Sequence, residues 1–180
     1  MSTLTADPKF GRGQVLGITL TYDDSINPPR EVQVGDGRNV KGINSVFRDE
    51  HPHDGRLLSN STVECVAVQN KSGGDLVAGQ LVELSAESVL SEVSGSAAAL
   101  NWGVVDEYLS APVRDGEVCW VVVRGPTKSA CAGATSGDGI DLTGGALTAP
   151  GAGNAGTAIT STDADGNIRF VLTGSPVHGL

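Results

Sequence analysis

Three groupings of side chains in this sequence are of types that could do chemistry. The first is "HPHD", His51 to Asp54. Two imidazoles one residue apart share a face of an extended strand, and a carboxylate beside them adds an oxygen, a donor set that suits a transition metal. Pro52 separates the pair, however, and His178 is the one histidine left to complete a set, so "HPHD" reads better as a polar loop. The second grouping is Asp163 and Asp165 in "STDADGN". Closely spaced carboxylates could take Ca²⁺, but the Gly-x₅-Glu continuation of an EF-hand is missing. Asp-Gly is itself a turn signal, so this stretch is expected to be a hairpin loop. The third grouping is Cys65, Cys119 and Cys131, an odd number at wide spacing without a CxxC pair. That excludes a disulfide framework and a zinc-ribbon pattern. Cys65 and Cys119 sit in apolar runs and are expected to behave as small core hydrophobes.

Nucleophilic and phosphate chemistry find less. Ser/His/Asp catalysis would need a histidine in the second two-thirds of the chain, where His178 stands alone near the end. No Gly-x-Gly-x-x-Gly opens a helix and no Walker loop is present. "GGALTAPGAGNAG" is glycine-rich, but no lysine follows, and it reads as turns. "WGVVDEYL", Trp102 to Leu109, resembles the Gly-Val-Ile-Asp-x-x-Tyr motif of the trimeric dUTPases. That resemblance would make Asp106 the carboxylate that activates water and Tyr108 the aromatic partner. The remaining motifs of that family are missing, and Leu109 stands where it turns through arginine and glycine. Asp106 and Glu107 are therefore expected to be a solvated strand end, with no catalytic residue and no cofactor assigned.

The elements that would position such groups are short strands. From Ser61 onward, "STVECVAVQN", "LVAGQLVELS", "SVLSEVSG", "WGVV", "EVCWVVV", "GIDLTGGALTAPG", "NAGTAI" and "IRFVLTG" follow one another at intervals of about 8–12 residues with glycine turns between them, as in a sandwich or barrel. "CWVVV", Cys119 to Val123, is apolar at consecutive positions, which predicts a strand covered on both faces. Arg124-Gly125-Pro126 is expected to end it, because proline cannot donate to a ladder. The one helix candidate is a turn or two within 94–102. Residues 1–60 read as mostly irregular, with strands at Gln14–Tyr22 and Arg30–Val34 the exceptions; those two could instead simply complete the body's sheet.

Composition agrees. The 180 residues include 25 glycines, 39% hydrophobic and only 4% aromatic residues. Glycine reaches positive φ without steric cost and suits tight turns, whereas inside helices it costs about 1 kcal/mol against alanine. The net charge of −9 argues against nucleic-acid binding by the protein as a whole. The charge is uneven: residues 1–60 carry seven Lys and Arg against eight Asp and Glu, and residues 61–180 carry five against thirteen. No apolar run approaches the length of a membrane span and no signal-peptide core is present, so a reducing, membrane-free setting is expected. The organisation read from these shifts is an extended N-terminal arm over 1–60 and an all-β body, a small barrel or sandwich, over 61–180.

The order of strands and turns in the body, "VAVQNKSGGDLVAGQLVEL", "WGVVDEYLSAPVRDGEVCWVVVRGPTKSAC", "NAGTAI" and "IRFVLTG", resembles the capsid decoration (cement) proteins of tailed bacteriophages over about 115 residues. The resemblance implies a small β body, commonly a homotrimer, made in the host cytoplasm and seated on the outer capsid surface of the virion. It implies the major capsid protein of an HK97-type shell as partner and stabilisation of the expanded shell as function. The arm, which lies outside the resemblance, would then cross subunit seams and pair Arg12, Arg30, Arg38, Lys41, Arg48 and Arg56 with shell carboxylates. A trimeric tail-fibre or receptor-binding module is the alternative, although few aromatics are left to stack on sugars.

Overall fold

A computed structural model describes residues 62–84, 101–109 and 111–173, together with the backbone of short strands at 22–23, 30–31, 44–48 and 92–93. All regular structure among these residues is β, as the alternating patterns predict. The strands are β1 (Tyr22–Asp23), β2 (Arg30–Glu31), β3 (Asn44–Arg48), β4 (Thr62–Asn70), β5 (Leu81–Glu83), β6 (Glu92–Val93), β7 (Trp102–Val105), β8 (Val118–Ala130), β9 (Gly139–Thr143), β10 (Ala146–Gly151), β11 (Gly156–Ala158) and β12 (Asn167–Leu172). Among the described residues β1 and β2 pair with each other in a separate two-stranded sheet. The rest form one curled sheet in the order β10-β9-β11-β12-β8-β4-β3, with β7 joining β8 to β5 and β6 lying along β4. Every pairing in it is antiparallel except β4 with β6.

β8 organises this sheet. Val118 to Val123 are buried without interruption, and successive residues feed opposite cores. Val118, Trp120 and Val122 join the larger cluster with Val63, Cys65, Trp102, Ile140, Ile168, Phe170 and Leu172. Cys119, Val121 and Val123 join a second cluster with Val66, Val68, Leu76, Val82, Val105 and Val113. Side chains alternate across a strand, so a run with no polar break needs an apolar partner on each side. Each valine or larger side chain so buried contributes about 1.5–3 kcal/mol.

β8 does not stop at Arg124-Gly125-Pro126 but runs on to Ala130. Along Val118–Arg124 it pairs with β4, and at Val121–Val122 with β7 as well. One extra residue enters at Val123, since Cys65 faces Val122 while Glu64 faces Arg124. Gly125 then takes φ 106°, open to glycine and costly for other residues. From Gly125 to Ala130 the one strand partner among the described residues is β12. A residue that cannot donate is tolerated where a strand has one neighbour, which is why Pro126 deflects β8 without ending it. Gly79 donates its N–H to the Val105 carbonyl (3.0 Å), and its own carbonyl accepts the Ser129 hydroxyl (2.7 Å). The far half of β8 is thus brought back against the end of β7, and the sheet curls into a half-barrel around the larger cluster.

Other readings shift in detail. "GGALTAPGAGNAG" is not all turn: Gly144-Gly145 makes the hairpin and Ala146–Gly151 is β10. Trp102 lies in β7 rather than at the end of a helical turn, and residues 94–100 lie outside the described residues. Within the expected arm, Asn44–Arg48 is paired to β4 from Asn44 opposite Val66 to Arg48 opposite Thr62. Of the strands expected at Gln14–Tyr22 and Arg30–Val34, only Tyr22 and Arg30–Glu31 fall within the described residues.

β7 crosses β8 so closely that a Cβ on Gly103 would stand 2.4 Å from Val121 Cγ1 and 2.8 Å from the Val122 carbonyl oxygen. The Gly103→Ala variant is expected to lose about 1–3 kcal/mol, the usual range for overpacking a filled core. A lower denaturation midpoint at unchanged slope in urea checks this.

Candidate interaction surface

The side chains that looked most capable of chemistry hold the body's turns. Asp106 is not a solvated strand end: it is 1% exposed, its N–H donates to the Trp120 carbonyl (3.0 Å), and its Oδ1 accepts the Tyr108 N–H (3.0 Å). A carboxylate in that position turns the chain out of β7. Glu107, expected beside it in solvent, is 8% exposed at its side chain and meets the Arg169 guanidinium of β12 at 2.7 and 3.0 Å. Both oxygens face both terminal nitrogens, the fork geometry that makes arginine–carboxylate pairs specific. The pair ties the segment after β7 to β12.

Asp163 and Asp165 do sit in the turn before β12, as "DG" predicts. Asp163 Oδ1 accepts the N–H groups of Asp165 (3.0 Å) and Asn167 (2.8 Å), and Oδ2 meets Lys128 Nζ at 2.9 Å. These bonds, the Asn167 N–H foremost, hold the Asp163 carboxyl below the usual carboxylate range. A cation there would have to displace an ammonium already in place. Among the described residues no three His, Cys, Asp or Glu side chains gather as metal ligands. Cys65, Cys119 and Cys131 are all buried, and none is in a disulfide. Burial, aided by the Asp106 and Glu117 carboxylates, pushes the Cys119 thiol far up; burial, aided by Asp138, also raises Cys131.

Two further polar hubs carried no sequence signal that named their role. Asn70 is fully buried, and its amide donates to the carbonyls of Gly74 (2.8 Å) and Val113 (2.9 Å) while accepting the Ser72 N–H (3.0 Å) and hydroxyl (2.7 Å). It locks the turn after β4 to the turn before β8. Asp141 accepts three backbone N–H groups, from Ala152 (2.8 Å), Gly153 (2.9 Å) and Asn154 (2.9 Å), and they lower its pKa. "QNKSGG" has the composition of an Asx turn. Nothing in the sequence links Asp141 to a loop that begins beyond the next strand.

Apart from these groups, the described residues offer the sheet's surface and its strand edges. Among the described residues Val77 and Val171 are the large hydrophobics most exposed, at 52% and 40%. Among the described residues β3, β5, β6 and β10 each have one strand partner. β10 is broken by a register shift between Thr148 and Gly151 and contains Pro150, both of which spoil an edge as a template. β3 keeps an unbroken register of five pairs. Of the basic residues assigned to the arm, Arg30 falls in β2 and Arg48 in β3, in separate sheets. Arg12, Arg38, Lys41 and Arg56 lie outside the described residues, as do His51, His53, Asp54 and His178. No helix among the described residues is long and apolar enough to cross a membrane. Comparison with protein families, curated proteins and solved structures finds no match for this chain.

Two outcomes are expected. Asp141 and Asp163 have folded-state pKa values below the ordinary Asp value of about 3.9, so the stability they contribute is present above that value and lost as pH falls through the lowered folded values. Thermal unfolding from pH 7 to 2 should show this acid limb, and Asp141→Asn should flatten it while lowering stability at pH 7. Thr127 is fully buried beside Phe170, and its hydroxyl has no hydrogen-bond partner among the described residues. Thr127→Val removes an unpaired polar group at nearly constant shape and should raise stability by about 1 kcal/mol, read as a higher melting temperature.

Proposed function

We propose that this chain is an adhesive virion protein: a decoration module that binds the outside of an HK97-type capsid, bridges major capsid subunits and so stabilises the expanded shell. The observation that carries the reading is the use made of the polar side chains. Asp106, Glu107, Asp141 and Asp163 hold turns and join strands, so the body presents surface and strand edges for binding instead of a reactive cleft. The order of strands and turns that resembles the decoration proteins supports it from the sequence side. A module of this size has a modest core and gains stability by assembling, and many copies on one symmetric shell reinforce one another where sites are bridged.

In this reading the protein is not an enzyme and takes no cofactor, the partner is the major capsid protein, and the copies associate as homotrimers on the outer capsid surface. The nearly neutral first third, with Arg12, Arg30, Arg38 and Lys41, supplies the cations that meet acidic shell surface, while the acidic body stays outward. Asn44–Arg48 anchors that segment to the body through β4.

Co-sedimentation of the full chain with expanded, undecorated capsids, and with unexpanded shells as control, tests this. Saturable binding to expanded shells alone is expected. Replacing Arg12, Arg30, Arg38 and Lys41 together by Glu should weaken it by at least about tenfold, and rising salt should weaken the unmodified protein in the same direction. No binding to either shell overturns the proposal and favours a tail-fibre module. Undiminished binding by the four-fold variant removes the arm from it.

A further inference from the structure

We infer that the turn before β12 is a site of spontaneous covalent modification: the Gly166 nitrogen attacks the Asp165 side chain, and the peptide isomerises to isoaspartate. The inference rests on turn geometry and is independent of the capsid reading.

The chain contains five Asp-Gly pairs and no Asn-Gly pair. Aspartate before glycine is open to this reaction because glycine has no side chain to shield its nitrogen. Asp36-Gly37 and Asp54-Gly55 lie outside the described residues, which leaves Asp115-Gly116, Asp138-Gly139 and Asp165-Gly166 to compare. The fold restrains the first two. Asp115 Oδ1 accepts the Gly73 N–H (3.1 Å), and the Gly116 N–H donates to the carbonyl of fully buried Asn70 (2.8 Å). Asp138 Oδ2 accepts the Thr135 N–H (2.8 Å), and the Asp138 carbonyl accepts the Ala158 N–H (2.8 Å). A Cβ on Gly139 would stand 2.4 Å from the Gly151 carbonyl oxygen, so that peptide is fixed between β10 and β11.

Asp165 differs. It is exposed, and its carboxylate has no hydrogen-bond or ion-pair partner among the described residues. The Gly166 N–H donates to the Asp163 carbonyl (3.1 Å), a bond within one exposed turn that opens without disturbing the core. As the Gly166 nitrogen bonds to Asp165 Cγ, the protonated carboxyl loses its hydroxyl, which leaves with the amide proton as water. Water then adds to the cyclic imide at the main-chain carbonyl and opens it, so the chain runs through Cβ and Cγ. The net change is an isomerisation that consumes no oxidant and no cofactor. The turn gains one methylene, and the bonds from Asp163 to the N–H groups of Asp165 and Asn167 and to Lys128 no longer fit it.

The full chain, aged in mildly acidic buffer and then digested, tests this when isoaspartate is read peptide by peptide by mass spectrometry with electron-transfer fragmentation. It should accumulate at Asp165 at least about tenfold faster than at Asp115 or Asp138, whose restraining bonds must first break. In urea the three should react at similar rates, since glycine follows each. Asp165→Glu, whose ring would be one atom larger, should stop the reaction at this turn and leave the melting temperature of fresh protein unchanged. The isomerised fraction should melt below the fresh protein. Isoaspartate forming at Asp115 or Asp138 as fast as at Asp165 in the folded chain, or none forming at Asp165, overturns the inference. A preference for Asp165 that persists in urea overturns its assignment to the fold.

Discussion

A strand whose two faces are both apolar has to be covered twice, and the body of this protein follows from that requirement. Val118 to Val123 send alternate side chains into two clusters. One lies inside the curl formed with β9 to β12, the other on the far face against Leu76, Leu84 and Val113. Covering both sides with a single sheet requires that sheet to bend back on itself. The bend is made within β8, by the extra residue at Val123, the positive φ of Gly125 and the one-sided pairing from there to Ala130. Arg-Gly-Pro is therefore a corner where one strand passes between two sets of neighbours.

The corner determines how the polar side chains are used. Bringing the far half of β8 back to β7 sets Ser129 against Gly79 and Arg169 against Glu107. A Cβ on Gly79 would lie 2.8 Å from the Lys128 carbonyl oxygen, so the closure also depends on that position's lack of a side chain. Glycine-rich turns have little intrinsic preference for one conformation. Asn70, which both donates and accepts, and Asp141 and Asp163, which accept, supply it with several bonds each to turn backbone. Charged and amide groups that in another fold would line a cleft are here satisfied by backbone. Such groups are costly to bury unpaired, and full pairing makes them fix one arrangement of the loops.

What the body leaves for recognition is geometry and charge. Its strands with one partner among the described residues include β10, shifted and proline-bearing, and β3, regular along five pairs. Its chain is electrically divided, with most of the net negative charge beyond residue 60. The adhesion we propose, by strand edges and complementary charge, would draw on backbone groups and long side chains that need no preformed pocket. That suits a protein whose interior polar groups are already committed to its own loops.

Much of the body was legible in the sequence. The apolar patterns of "TVECVAV" and "CWVVV" depend only on the two-residue period of a strand, and they identified all-β structure, the burial of Cys65 and Cys119 and a strand covered on both faces. "DG" before "NIRFVL" marked the Asp163 turn, because turn chemistry is local. The tertiary structure decided whatever depended on partners distant along the chain. Pro126 reads as a stop until β12 is seen to pair on one side alone. Asp106 and Glu107 look solvated until the curl brings Trp120 and Arg169 to them. Asp141 acquires its role from amides eleven to thirteen residues away. Local pattern is set by the periodicity and φ preferences of neighbouring residues, which a sequence displays directly. Which face is covered, and by what, is set by how the sheet closes, and that exists only once distant strands have met.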